Sequence, residues 1–367
     1  MKKALVIVMM LMLVASATFA EITIGAWGRG IFLPIADTGA DNSDPRVDTA
    51  PSWGDWNGDE SRIGFTIAGK SDNVGFQIDM NVDGGNPNCG DQRKIWVKPF
   101  DMLTLSIGRI YDDTLRGNAA YGSFNWYRKY GDAVGEDVTF SRIGINAGGE
   151  SVRKEFYKEE FEIALTPVEN LYVAAIFENL DKELTEDLFR NAQYAAGYTI
   201  PNIGQIRAQY IGWVDSDTDD TAGRFEAAFK VTAVQNLYAD IGFATSTNTD
   251  VTGDYTKIAA YGNYKVQAAT IHATAIYEML DDDDGMNFGV GLDYDLGNGL
   301  GLNADLRYFN DIYANKHQKG DGSDSAKITG MLGITKGFSN GLVGIGVQFA
   351  NQENFGYCIP VRLEYWF

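Results

Sequence analysis

The feature that most constrains this chain is a two-residue alternation of apolar and strongly polar side chains, repeated segment after segment. Between Asn73 and Asp83, the residues Val74, Phe76, Ile78, Met80 and Val82 share one face, and Gly75, Gln77, Asp79 and Asn81 share the other. Ile63, Phe65 and Ile67 alternate with Arg62, Thr66 and Lys70 in the same way, as do Phe225, Ala227, Phe229 and Val231 with Arg224, Glu226 and Lys230. A period of two is the signature of an extended strand with two unlike faces. A soluble β-sandwich alternates too, so the pattern needs further features to choose between them. The segments cluster near ten residues, and a tilted strand of about ten residues crosses roughly 25 Å of hydrocarbon. Charge also sits in mid-strand, as an aqueous interior allows.

Connections alternate in length. Ser71 to Asn73, Lys98 to Asp101, Pro167 to Asn170, Pro201 to Asn202, Ala233 to Asn236, Gly297 to Gly299 and Gly337 to Gly341 read as tight turns. Interleaved are longer stretches: Pro34 to Glu60, Gly84 to Asp91, Tyr111 to about Val152, Asn179 to Asn191, Asp215 to Gly223, Ser246 to Asp254, Leu280 to Gly285, Asp311 to Ser325 and Asn351 to Tyr357. Short turns at one end and long loops at the other are the habit of outer-membrane barrels. The expectation is an all-β, transmembrane, antiparallel up-and-down β-barrel of 16–18 strands, an even number that closes without free edges.

The ends agree with export. Lys2 and Lys3 precede an apolar run from Ala4 to Val14, and Thr18-Phe19-Ala20 offers a small-x-small cleavage site, so residues 1–20 read as a signal peptide and 21–367 as one barrel domain. Beyond Glu21 no apolar run reaches the roughly 18 residues a membrane helix needs. The last residues alternate Val361, Leu363, Tyr365 and Phe367 outward against Arg362, Glu364 and Trp366, and stop on an aromatic ring.

Composition excludes some functions. A formal net charge of −20 makes nucleic acid an improbable partner, since phosphate contacts need clustered Lys and Arg. The acidic runs Asp215–Asp220 and Asp281–Asp284 read as solvated loops and lack the spacing of an EF-hand. Cys89 and Cys358 are too few for a disulfide framework; whether they pair stays open, and two thiols without a nearby His give no metal site. His272 and His317 are the only histidines and no Gly-x-Ser-x-Gly motif accompanies them, so no enzyme and no cofactor are expected.

Several segments resemble the Gram-negative general porin family. The stretch Arg93–Arg109 is similar to that family's hairpin, in which an aromatic-Val-x-Leu-Lys strand turns at Phe-Gly and returns as Leu-Thr-Leu-Gly-Arg; Asp101 stands where the family has Gly. Ser61–Phe65 resembles the family's Ser-Arg-Leu-Gly-Phe, and Ile24–Arg29 its first strand. The terminal aromatic strand resembles the signal that such barrels present to their assembly machinery, which gives Val361, Leu363, Tyr365 and Phe367 that role. The resemblance implies a homotrimeric channel in outer-membrane lipid, passing ions and small hydrophilic solutes, with a third loop (Tyr111 to about Val138) folded inward to narrow the pore. On that loop Asp112, Asp113, Asp132, Glu136 and Asp137 would face a basic wall of Arg29, Arg62, Arg109 and, from the looser match Phe140–Gly144, Arg142. Parity supports Arg29 and Arg62, which lie opposite the apolar faces of their strands. Arg109 shares parity with Leu103, Leu105 and Ile107, so a bulge at Gly108 or a place above the membrane is needed to keep it out of lipid.

Two other readings remain. A sugar-selective channel would line its lumen with aromatic rings such as Trp27, Trp96, Trp126 and Tyr127, although a girdle at the lipid interface accounts for strand tryptophans more simply. A surface adhesin on a barrel scaffold is compatible with the long loops.

Overall fold

The computed structural model describes residues 21–37, 52–54, 62–83, 86–110, 114–115, 159–178, 186–214, 218, 220–248, 255–280, 283–312, 328–351 and 355–367. The strands are β1 (Glu21–Asp37), β2 (Ser52–Gly54), β3 (Arg62–Lys70), β4 (Val74–Asp83), β5 (Asn86–Phe100), β6 (Leu103–Arg109), β7 (Glu160–Leu165), β8 (Leu171–Glu178) and β9 (Gln193–Ile200). They continue as β10 (Gly204–Val214), β11 (Thr221–Val231), β12 (Leu237–Ser246), β13 (Tyr255–Val266), β14 (Ala269–Leu280) and β15 (Asp283–Gly297). The last four are β16 (Leu300–Phe309), β17 (Ile328–Phe338), β18 (Gly341–Asn351) and β19 (Phe355–Trp366). A single helical turn, α1 (Asp187–Arg190), rests on β8 through an edge-to-face contact of Phe189 with Phe177.

From β3 onward each strand pairs antiparallel with the next, and β1 pairs with both β3 and β19. The three-residue β2 pairs with Ile31–Leu33 of β1, in line beyond β3, so it extends β3's place in the ring rather than adding one. Among the described residues eighteen strands therefore close on themselves. The ring settles the strand number at the upper of the two expected values.

The outer face follows from the alternation. Ile24, Phe65, Ile78, Ile107, Val173, Ile206, Phe243, Ile271, Val290, Leu332, Ile345 and Leu363 all stand outward and exposed. Apolar residues around a whole circumference far exceed the patches a water-soluble protein exposes, and they match a lipid-facing belt. Tyr198, Tyr264, Tyr294 and Tyr365 add outward aromatic rings near the short-turn end.

The short turns depend on backbone chemistry. Asn170, Asn202, Asn236, Gln267 and Asn298 all adopt positive φ, between 52° and 67°. Asn tolerates this left-handed region because its short polar side chain bonds locally. The turn at Gln267–Ala268 has no Gly, Pro or Asn, which is why the sequence does not announce it. Three loops are shorter than expected: β4 runs to Asp83 and β5 starts at Asn86, β14 and β15 flank residues 281–282, and β18 and β19 flank 352–354. Cross-strand pairing there carries on into polar sequence, since a ladder needs backbone groups and not apolar side chains. The turn placed at Lys98–Asp101 lies at 101–102, because a register shift at Lys98–Pro99 lets Phe100 pair with Leu103; Pro is tolerated at such a shift.

Candidate functional site: the barrel lumen

The inward positions of β10–β16 carry charge, and the charges are paired. Arg207 on β10 reaches over the small Ala228 of β11 to grip both carboxylate oxygens of Asp240 on β12, and Tyr238 donates to the same carboxylate at 2.9 Å. Arg224 and Glu226, two residues apart and so on one face, meet at 2.5 Å, with Gln209 donating to Glu226 from the next strand. Lys257 and Glu278 are direct cross-strand partners at 3.4 Å. Asp305 and Arg307 pair at 2.6 Å. His272 sits between the Tyr261 hydroxyl at 3.0 Å and Asp293 at 2.7 Å, and Asn303 donates to the other oxygen of Asp293. Burying an ion is costly unless a partner and hydrogen bonds replace water, and each of these ions has at least the partner.

A second sector is basic. Arg29 on β1 meets Glu364 of β19 at 2.9 Å, and Arg362 meets the same carboxylate at 2.6 Å. Arg62 is the register partner of Arg29 across the β1–β3 ladder. Two like charges directly opposite repel, and the Glu364 carboxylate on Arg29's other side offsets part of that. Three arginines and one glutamate thus share adjoining strands of the wall.

The tryptophans correct the sequence reading. Trp27 has the parity of Arg29, lies over Gly64 and is the register partner of Trp366, so it lines the lumen. Trp96 alternates with the outward Ile95 and Val97, covers Gly75 and carries the Lys98 ammonium 5.6 Å from its ring centre. Neither belongs to the lipid girdle. Trp126 and Tyr127 lie outside the described residues.

A third sector is apolar, and it is where the chain after β6 re-enters the barrel. Ile110 and Leu115 pack with Ala164, Ala174, Ile176 and Ala195, all inward positions of β7–β9. The Leu115 side chain occupies the space a Cβ on Gly197 would need. Its carbonyl accepts a 3.1 Å bond from Arg207, the residue already holding Asp240. A single guanidinium therefore ties the start of the third loop to the charged wall. The turn inward begins at Gly108, whose φ of +125° and closeness to the Arg93 carbonyl leave no room for a side chain. Arg109 follows directly, is buried, and donates to the Cys89 carbonyl at 3.1 Å. The strand parity that would send Arg109 into lipid is broken at Gly108.

Of the sequence-derived candidates, the structure brings Arg29 and Arg62 together on one wall and places Arg109 apart, three strands beyond Arg62. Arg142, Asp112, Asp113, Asp132, Glu136 and Asp137 lie outside the described residues, as does the segment 1–20. Leu363, Tyr365 and Phe367 stand outward and more than half exposed, Val361 shares their face, and Arg362 and Glu364 turn inward. Cys89 and Cys358 are both free, on different strands, so they make no bridge. Sequence reading did not single out Arg207, Asp240 or the Ala-rich dock. The readable sign was inward Ala and Gly on three successive strands (Ala164, Ala174, Ala195, Gly197), where neighbouring strands put charge.

A closed, antiparallel transmembrane barrel with a polar interior, its inner wall covered by Ile110 and Leu115 at β7–β9, is the class this geometry defines. No family model matches the chain, and no curated protein sequence matches it. Among solved structures, one of an engineered protein described for asymmetric conductivity is similar at a TM-score of 0.51 with 14% identity, over 95% of this chain and 100% of that one. A triply substituted Rhodopseudomonas blastica porin is similar at a TM-score of 0.50 with 14% identity, over 95% and 100% of the two chains. At such identity the likeness is one of fold, and the fold is that of the bacterial porins.

Proposed function

We propose that the protein is an outer-membrane porin, a water-filled channel for passive diffusion of ions and small hydrophilic solutes. The observation that carries this reading is the contrast between the two faces of one closed ring. Apolar side chains surround the outside, while ion pairs and amides line the inside from β10 to β16 and again at β19, β1 and β3. An interior of that kind favours water and hydrated solutes over apolar ones. Residues 1–20 are read as a cleaved signal peptide and 21–367 as one barrel domain. Val361, Leu363, Tyr365 and Phe367 are read as the signal to the barrel-assembly machinery, and the assembly as a homotrimer. The basic wall of Arg29 and Arg62, extended by Arg362, would face the third loop, with Arg109 and Arg142 and the acidic Asp112, Asp113, Asp132, Glu136 and Asp137 as constriction candidates. Single-channel recording of the purified protein in a planar bilayer tests it. Stepwise long-lived openings support the channel; a folded protein that inserts without conducting overturns it.

A second reading rests on the inward tryptophans. Trp27 and Trp366, side by side beneath Arg29 and Arg362, form an aromatic surface of the kind that stacks on sugar rings. Blocking of the current by an oligosaccharide at millimolar concentration, lost in Trp27→Ala, would favour a selective channel over a general one.

A further inference from the structure

The chain has two histidines, and His272 lies at an inward, buried position of β14 with both ring nitrogens engaged. Its Nε2 is 2.7 Å from Asp293 on β15; an ionised carboxylate only accepts, so Nε2 carries the proton. In the neutral ring Nδ1 is then the acceptor, and the Tyr261 hydroxyl of β13 donates to it across 3.0 Å. Protonation changes both ends. Nδ1 becomes a donor toward the Tyr261 oxygen, which already accepts from Asn263 at 3.1 Å, and the ring gains a positive charge against Asp293. Asp293 is not sealed away from the lumen. Its side chain is 34% exposed, and its other oxygen takes a 2.7 Å bond from Asn303 on β16. The His272–Asp293 pair is therefore anionic while the ring is neutral and uncharged overall once the ring is protonated, on a wall that meets solute.

The charges around this pair are matched by Arg or Lys. Asp305 on β16 faces the same imidazole and is held by Arg307 at 2.6 Å. Asp240 on β12, beyond Tyr261, is gripped by Arg207 and accepts from Tyr238. On β14 itself the inward Glu278 is matched by Lys257. Arginine keeps its charge at any ordinary pH. Asp293 differs, because its ion-pair partner is a histidine, the side chain whose charge changes between about pH 5 and pH 8. The sector at β19, β1 and β3 sets three arginines against Glu364 and leans the other way. We infer that His272 sets the ion preference of the pore according to pH. A neutral ring leaves the Asp293 charge to draw cations to its wall, and a protonated ring cancels that charge, so that Arg29, Arg62 and Arg362 turn the pore toward anions. This rests on the reading of the barrel as a water-filled channel and adds the residue that tunes it.

Reversal potentials in a KCl gradient across a planar bilayer test it. The cation-to-anion permeability ratio should fall several-fold from about pH 8 to about pH 5 in the native protein. The same step should appear in His317→Gln, the control at the other histidine, which lies outside the described residues. In His272→Gln, where the amide can hydrogen-bond but takes no proton, the ratio should stay at its high-pH value. His272→Arg should show the low ratio at every pH, and so should Asp293→Asn. A step that survives in His272→Gln, or one that goes with Asp305→Asn instead, would overturn the inference. Histidine-selective NMR of the folded barrel in detergent micelles gives a readout that needs no current. Of the two imidazole signals, the one missing from His272→Gln should titrate over the same range. A signal that stays fixed in a conducting barrel sinks the role of His272 alone. A signal that titrates in a barrel that never conducts sinks the channel reading, and this inference with it.

Discussion

The inner wall of this barrel is built in two ways. From β10 to β16 the inward positions hold ions that satisfy one another, as in Arg207–Asp240, Arg224–Glu226 and Lys257–Glu278. From β7 to β9 a patch of them, Ala164, Ala174, Ile176 and Ala195, takes up Ile110 and Leu115, with the buried Glu162, Glu178 and Gln193 on the same inward face beside it. Backbone, register and alternation are the same in both; only the inward residue type differs. Where Ile110 and Leu115 lie against the wall it is small and apolar, and elsewhere, Glu162 and Glu178 included, it carries charge. Arg207 stands at the seam, bonded to Asp240 on one side and to the Leu115 carbonyl on the other. One buried guanidinium thereby joins the segment just after β6 to the β10–β12 wall.

The sharpest way to break the contrast is at that seam. Arg207→Leu leaves Asp240 buried without its cation and should cost about 3–5 kcal/mol in urea unfolding from detergent, with Arg207→Leu/Asp240→Leu recovering much of the loss. An equal cost for single and double variants would show the pair to be unimportant. Next is the apolar side: Leu115→Ala should weaken loop docking by about 2–3 kcal/mol and raise both mean conductance and open-channel noise. Unchanged current would mean the dock does not hold the constriction. Arg29→Gln should leave stability nearly untouched, an effect of about 1 kcal/mol or less given the remaining Arg362–Glu364 pair, while moving the reversal potential in a salt gradient toward cation preference. A shift toward anions would contradict the basic wall. As a control outside both regions, Asn236→Ala, at φ 63°, should cost about 1 kcal/mol through strain in the turn alone, with conductance unchanged.

Much of the scaffold was legible because membrane and water impose opposite demands on alternate residues. The outward row Val74, Phe76 and Ile78 and the inward Arg62 and Arg29 are readable without a structure. The turn at Gln267 was not, since its left-handed residue lacks the usual Asn or Gly. Trp96 was misread for a different reason: its parity with Lys94 already placed it inward, but residue type suggested the girdle. Arg109 points outward by parity alone, and the break at Gly108 that the sequence reading required is supplied by that residue's positive φ. The dock was hidden because an inward alanine is ambiguous in one strand, and only the adjacency of β7, β8 and β9 turns three ambiguous positions into a surface. Long-range pairs such as Arg207–Asp240 depend on strand register, which alternation alone does not give.

The pairing of β1 with β19 has a kinetic consequence. Trp27 bonds in register with Trp366, so the first and last strands of the ring are neighbours in space and nearly a chain length apart in sequence. Every other strand can zip to the one just made, at little cost in chain entropy, but this seam forms only after all eighteen are present. Until then two unsatisfied edges remain, each able to pair with another chain. Assembly should therefore be limited by one closing event, and any change that weakens the β1–β19 ladder should slow barrel formation far more than it lowers the stability of the finished ring.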